Sequence, residues 1–357
     1  DGWLFNRDDA PVKLIEAPTG SGKTGIVLAL SAMYPELRFL VLCATKLEQD
    51  QYESNITDSY KGFTSIKGRN NFHCILDEED IEEKCERSPC YSVHVDEARC
   101  TFPDKNFECP VKYKCPYFKQ LEDIEKKRVV VTNYAYGLTI LNFLKDRMGK
   151  FDVIVEDEGH VLDTMLEQFI EVRLWRKQMS RLYNLNLPDY ETVREWQYWC
   201  EQNKSLVEGL FDEVSKRSVQ DMTKEEITLA RSAKNIKESF EKIESMDLDW
   251  VIEKESNSVP MKPVWITQDS FEFLFQHSPR HIVMSGTIPS FQELAKKVGI
   301  PQEKYFAKRL PYVFPIENRP IHIMPVANMS AKYIDMSLPT MLEEIDRIIA
   351  VNIQKKI

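Results

Sequence analysis

Glu16-Ala17-Pro18-Thr19-Gly20-Ser21-Gly22-Lys23-Thr24 stands between an apolar run, Val12–Ile15, and a segment of helical composition, Gly25–Ala32. Strand, glycine-bearing loop and helix in that order build a phosphate cradle. Gly20 and Gly22 let backbone N–H groups curl toward an anion, which also sits at the positive end of the helix. A lysine at position 23 reaches the β- and γ-phosphates of a nucleotide, and a hydroxyl at Thr24 is a ligand for its magnesium. Pro18, Thr19, Gly20, Ser21, Gly22, Lys23 and Thr24 are therefore the candidate nucleotide-binding residues. A glycine-rich turn with a chance lysine is the bland alternative, and it leaves the order of the three elements unexplained.

Four more short runs read as buried strands of the same parallel sheet: Phe39–Cys43, Val129–Val131, Val153–Val155 and His281–Met284. Each is rich in Val, Ile, Leu or Phe, as strands covered on both faces are. Helical stretches between them give the alternation of an α/β domain. The run Phe151-Asp152-Val153-Ile154-Val155-Glu156-Asp157-Glu158-Gly159-His160 ends in carboxylates. ATP hydrolysis needs one carboxylate to hold magnesium and a second group to orient the attacking water. Asp157 suits the first role and Glu158 the second. A solvated acidic loop is the ordinary reading of such a stretch alone; beside a phosphate loop in one sheet, the chemical reading is preferred.

Two segments break the rhythm. Six of the eight cysteines (Cys74, Cys85, Cys90, Cys100, Cys109 and Cys115) fall together, in a stretch with much turn chemistry and little apolar periodicity. With no secretory signal at the start of the sequence, clustered thiols indicate a metal site before a disulfide framework. The second segment, from about Arg173 to Met261, reads as helical and charged. Leu206, Val207, Leu210, Phe211 and Val214 recur at helical spacing, and Thr223 with Glu226 forms a capping-box pattern. Trp196 and Trp199 share a helix face and read as core; Trp175 is less committed.

Length and charge bound the rest. At 357 residues the chain holds two to four structural units. No run of eighteen apolar residues exists, so no membrane-spanning segment is expected. A formal charge of −10 argues against a protein that coats DNA by bulk electrostatics, while leaving room for a local basic groove.

The order of phosphate loop, cysteine cluster, Asp157-Glu158-Gly159-His160, helical insertion and Ser285-Gly286-Thr287 resembles the XPD/DinG type of superfamily 2 iron–sulfur DNA helicase over nearly the whole chain. Ala17, where the general phosphate loop has glycine, is a common helicase form; Gly159 departs from the DEAH pattern of that family. The resemblance implies an α/β fold: a P-loop NTPase (RecA-like) parallel sheet carrying a cysteine-rich metal-cluster insertion and a helical insertion. Its expected layout is 1–66 as the first part of motor domain 1, 67–119 as the cluster domain, 120–172 as motor domain 1 continued, 173–262 as the helical arch, 263–316 as the end of motor domain 1, and 317–357 as the start of a truncated motor domain 2. A strand at Pro320–Met324 and a helix over Leu338–Ile353 are expected there.

By the same resemblance, Lys23, Asp157, Glu158 and His160 are catalytic, and Ser285, Gly286 and Thr287 couple nucleotide state to movement. Cys74, Cys109 and Cys115 are three ligands of a [4Fe–4S] cluster. The fourth is open, with Cys90 preferred, Cys100 as alternate and Cys85 behind them; zinc is the alternative metal, since it takes the same thiolates. His73 and His94 are expected to be bystanders. Thr45, Arg69, Asn133 and Tyr134 are the candidate nucleic-acid contacts, Thr45 through a phosphate and Tyr134, with Tyr136, by stacking on bases. Packing at a domain seam is an equal alternative for the tyrosines.

The expected cofactors are ATP, Mg²⁺ and the cluster. The expected partners are single-stranded DNA and forked duplex, in a cytoplasmic, nucleoid-associated or nuclear setting, with DNA repair as the process. The implied activity is ATP-dependent 5′-to-3′ translocation and unwinding. The later family motifs have no counterpart before Ile357, so 1–357 alone is expected to bind nucleotide and single-stranded DNA weakly, with little turnover. A metal-stabilised DNA-binding or docking module with a vestigial nucleotide site is the competing class, and a metabolic P-loop kinase a distant third.

Overall fold

The computed structural model describes residues 10–56, 62–75, 94–95, 98, 100, 108–122, 124–144, 148–218, 222–312, 315, 323–328 and 330–352. Along the chain the first half gives β1 (Val12–Glu16), α1 (Lys23–Met33), β2 (Phe39–Cys43), α2 (Lys46–Ile56), β3 (Phe63–Ser65), β4 (Val129–Asn133), α3 (Tyr134–Phe143), β5 (Val153–Glu156) and α4 (Leu162–Ile170). The insertion contributes β6 (Val172–Trp175), α5 (Arg176–Tyr183), α6 (Val193–Ser215), α7 (Lys224–Ser245), β7 (Trp250–Ile252) and β8 (Ser258–Pro263). Then follow α8 (Thr267–Phe273), β9 (His281–Ser285), α9 (Phe291–Lys297), β10 (Tyr305–Arg309) and α10 (Ile334–Asn352).

Seven strands form one sheet in the order β10-β1-β9-β5-β2-β4-β3, with every pairing parallel. Parallel strands are buried on both faces, and the central ones show it. Leu14, Leu40, Leu42, Val130, Ile154 and Val283 point into one core layer. Ile15, Phe39, Val41, Val129, Val131, Val153, Val155, Ile282 and Met284 point into the other. All five runs read as strands from the sequence lie in this sheet. Two members escaped that reading. β3 is only three residues, and β10 is a polar, largely exposed edge strand, so neither carries an apolar signal.

The insertion is not wholly helical, which corrects the expectation for it. A three-stranded antiparallel sheet, β6-β8-β7, closes its base. β8 holds Pro260 and Pro263, and proline argues against a strand when only sequence is in hand. Above that sheet α6 and α7 pack along each other. Both begin with a reciprocal capping box, Thr192 with Glu195 and Thr223 with Glu226. Trp196 is fully buried in the insertion's own core, edge-on to Tyr190 and Trp199. Trp175 is about half exposed, under the Arg173 guanidinium.

The described part of the cysteine-rich stretch borrows the main core: Cys74, Val95, Ala98, Cys115 and Tyr117 all pack into the layer under Leu14 and Leu40. The chain divides into two units, Asp1–Pro311 and Tyr312–Ile357. In the second, α10 contains Pro339. The strand expected at Pro320–Met324 lies mostly outside the described residues. Among the described residues no helix is long and apolar enough to cross a membrane.

Candidate nucleotide site

Strand order decides what meets. β1, β9 and β5 are adjacent, so the loops after them emerge side by side at the carboxyl edge of the sheet, where ligands bind in open α/β folds. Those loops are Ala17–Gly22, Gly286–Thr287 and Asp157–His160. Gly20 and Gly22 have φ of 81° and 83°, a region glycine enters without steric cost. Gly22 caps α1 with no side-chain hydrogen bond and no acidic residue in the first turn, leaving the helix N–H groups for an anion. The Ser21 hydroxyl is buried with no hydrogen-bond partner. That orphan and the uncapped helix suit a polyphosphate.

Lys23 Nζ lies 2.8 Å from Glu158 Oε1. Glu158 reaches it from a left-handed backbone, φ 51°, an uncommon conformation for a non-glycine residue and one that clusters at functional sites. Burial works to raise the pKa of Glu158, but the Lys23 hydrogen bond and charge, helped by His160 and Ser285, hold it below the usual carboxylate range. Asp157 is 5% exposed. Burial pushes its carboxyl up, against donation from Tyr52 and the Glu158 backbone and the charge of Lys23. Its Oδ1 accepts from Glu158 N at 3.0 Å and its Oδ2 from Tyr52 Oη at 2.9 Å.

The third loop closes the group. His160 Nδ1 is 2.8 Å from Ser285 Oγ, which donates to Glu158 Oε2 at 3.3 Å. A Cβ built on Gly286 would lie 3.3 Å from Thr19 Oγ1 and 3.5 Å from Lys23 Nζ, so this glycine lets the loop lie against the phosphate cradle. Thr287 contributes its backbone N–H to Ser285 Oγ. Glu16 Oε2 ties the base of the loop to Ile288 N and Arg309 Nε, which makes β10 a brace for the cradle.

The nucleic-acid candidates divide. Thr45 is exposed beyond β2, and its Oγ1 accepts from Glu48 N, capping α2 while leaving the hydroxyl proton for another acceptor. Asn133 caps α3 by accepting from Tyr136 N. Arg69 lies over the Tyr117 ring, 5.3 Å from its centroid. Tyr134 is a correction: it is 1% exposed, and its hydroxyl donates to the Asp157 carbonyl, so no base can stack on it. Tyr136 is likewise buried, hydroxyl to hydroxyl with Tyr117 at 3.0 Å. Both tyrosines belong to the packing alternative.

Other participants were not legible as site residues. Tyr52 is one, hidden in the polar helix α2. His281 is another: its Nδ1 is 2.6 Å from Glu156 Oε1, and its Nε2 is 3.2 Å from the Phe275 carbonyl. A carbonyl only accepts, so Nε2 carries a proton. This buried pair pins the residue before Asp157 to β9. A histidine at the start of an apolar strand was the only available signal.

Cys85 and Cys90 lie outside the described residues. Of the rest, Cys74 and Cys115 are buried and Cys100 and Cys109 half-buried. Burial pushes the Cys100 thiol up to about 11; Arg69 opposes this, while Cys109, Cys74 and Cys115 add to it, so all three thiols bear on Cys100. Four thiols are in kind the right donor set for an iron–sulfur cluster. As placed, no three His, Cys, Asp or Glu side chains among the described residues form a group able to hold a metal ion. The His73 and His94 rings stack with centroids 4.5 Å apart. Magnesium needs less from the protein: one carboxylate and a hydroxyl beside substrate phosphates and water. Asp157 and Thr24 meet that requirement in kind.

A family described as "Type III restriction enzyme, res subunit" matches residues 5–182. No curated protein matches the chain. Among solved structures, "XPD_Helicase" superposes with a TM-score of 0.52 at 17% identity, over 84% of this chain and 58% of that one. "Truncated XPD" gives a TM-score of 0.52 at 16% identity, over 84% of this chain and 95% of that one. The chain thus spans about 58% of the length of the first of these. The likeness is one of fold: the chain shares the α/β architecture of these XPD helicase structures.

Proposed function

We propose that the chain is the ATP-hydrolysing motor of a DNA helicase that translocates 5′ to 3′ on single-stranded DNA and acts at forked duplexes, in DNA repair. The observation that carries this reading is the 2.8 Å contact between Lys23 and Glu158, with Asp157 beside them and Gly286 against Thr19 and Lys23. Groups from three separate loops converge where a γ-phosphate would lie.

In this reading the N–H groups of 18–23 and the α1 N-terminus cradle the phosphates. Thr24 and Asp157 hold the magnesium, which supplies charge neutralisation at the transferred phosphoryl group. Lys23 leaves Glu158 for the γ-phosphate, and the released Glu158 carboxylate orients the attacking water. His160, bonded to Ser285, passes the change at Glu158 to the Ser285–Thr287 loop. Thr45 and Asn133, at neighbouring strand ends, contact the sugar–phosphate backbone of the strand. The polarity rests on the family resemblance alone. Cys74, Cys100, Cys109 and Cys115 are our choice of ligands for a [4Fe–4S] cluster, with Cys100 taken over Cys90 because it packs against the same core as Cys74 and Cys115. The helical insertion would form an arch over the strand.

A docking module with an idle nucleotide site is the rival, and it has no use for Lys23, Thr24, Asp157 and Glu158 together. Lys23→Ala, made in a full-length chain, separates the two. We expect DNA-stimulated ATP hydrolysis to fall by about a hundredfold or more, with circular dichroism unchanged. Hydrolysis equal to that of the unaltered chain, or no nucleotide binding by the unaltered chain, refutes the motor reading.

A further inference from the structure

The two oxygen ligands assigned to magnesium come from distant parts of the sequence, Thr24 at the start of α1 and Asp157 after β5, and a side chain on a third element holds the second of them. Tyr52 on α2 is 2% exposed, and its hydroxyl donates to Asp157 Oδ2 at 2.9 Å. A carboxylate oxygen only accepts, so the phenol is the donor in this bond.

The phenol is itself held. Gln49, one turn earlier on α2, donates through Nε2 to Ser65 Oγ at 2.9 Å and to the Ile66 carbonyl at 2.8 Å, locking the helix against β3 and the turn beyond. With Oδ1 fixed by the Glu158 amide and Oδ2 by Tyr52, the Asp157 carboxylate has no freedom to rotate. Magnesium demands near-octahedral geometry at short distances and gains most from ligands already in place.

We infer that Tyr52 is a positioning residue for the magnesium site, its hydroxyl setting the Asp157 carboxylate before the metal arrives. It acts through Asp157. This rests on the motor reading above. Thr45, the exposed candidate contact for a DNA phosphate, caps the N-terminus of the same helix.

The test is binding of a fluorescent ATP analogue at fixed concentration while magnesium is titrated, for the unaltered chain, Tyr52→Phe, Asp157→Asn and the double variant. Tyr52→Phe should need about tenfold more magnesium for half-maximal binding. Binding in EDTA should stay unchanged, which reports on the fold and on the phosphate cradle. In the Asp157→Asn background, Tyr52→Phe should add nothing, because its route to the metal is gone. An unchanged magnesium midpoint in Tyr52→Phe overturns the inference and leaves the motor reading standing. So does an equal loss in EDTA, which would make the phenol a packing residue. An unaltered chain that binds no nucleotide under any condition overturns both.

Discussion

Gly159 shows what a single residue can and cannot disclose. The resembling family has alanine at this place, and the sequence marks the glycine only as a departure. The structure gives its cause. A Cβ on Gly159 would fall 2.1 Å from Val283 Cγ1, and the neighbouring Met284 carbonyl is 3.4 Å away. The wall is a β-branched side chain on β9, far along the chain, so no local pattern announces it. Gly159→Ala should therefore cost about 1–3 kcal/mol as an overpacking change, read from urea unfolding. Val283→Ala should return part of that loss in the double variant, by about 1 kcal/mol of favourable coupling. Strict additivity of the two changes would remove Val283 as the reason for the glycine. Tyr134 teaches the opposite lesson. Its place at a strand end suggested a surface for bases, yet an aromatic next to a buried carboxylate loop is more useful as a donor, and its hydroxyl holds the Asp157 carbonyl.

At the scale of elements, an apolar signal made strands legible and its lack hid them. β1, β2, β4, β5 and β9 are buried on both faces and read directly from runs of Val, Ile and Leu. β10 is exposed at an edge, and β6, β7 and β8 are short or proline-bearing, so sequence alone gave no account of them. The candidate site was legible where function restricts residue type, as at Lys23 and Asp157. It was illegible where any buried donor serves, as at Tyr52 and His281. The cysteine-rich stretch lies between these cases. Its thiols are countable, but which four act together depends on packing against Tyr117 and Arg69. Under the iron–sulfur proposal, anaerobically purified protein should be brown and carry about four iron and four sulfide per chain. Cys100→Ser should lose most of that iron. Colourless protein with stoichiometric zinc would replace iron by the other thiolate metal, and full iron in Cys100→Ser would move the fourth ligand elsewhere.

On the scale of the whole molecule, the acidic balance constrains how DNA would be held under the proposed function. A chain with a formal charge of −10 gains nothing from bulk attraction to a polyanion, so affinity has to come from a few placed contacts. The parallel sheet supplies the place. Strand ends that carry Thr45 and Asn133 open on the same edge as the phosphate loop, and the helix from Thr45 leads to Tyr52. Lys112 and Lys114 are exposed beside the cysteines, each leaning on an aromatic ring, and add at most a short basic rim. Hydroxyl, amide and N–H contacts release no counterions; only cationic side chains on phosphates do. Binding of oligothymidine, followed by fluorescence anisotropy across a salt series, should then give a shallow log–log slope of about −2 to −3, equivalent to roughly three or four neutralised phosphates at −0.7 each on a single strand. A slope steeper than about −6 would require some nine cationic contacts. That outcome would mean a basic track away from this edge, and with it a path for the strand that does not pass the magnesium site.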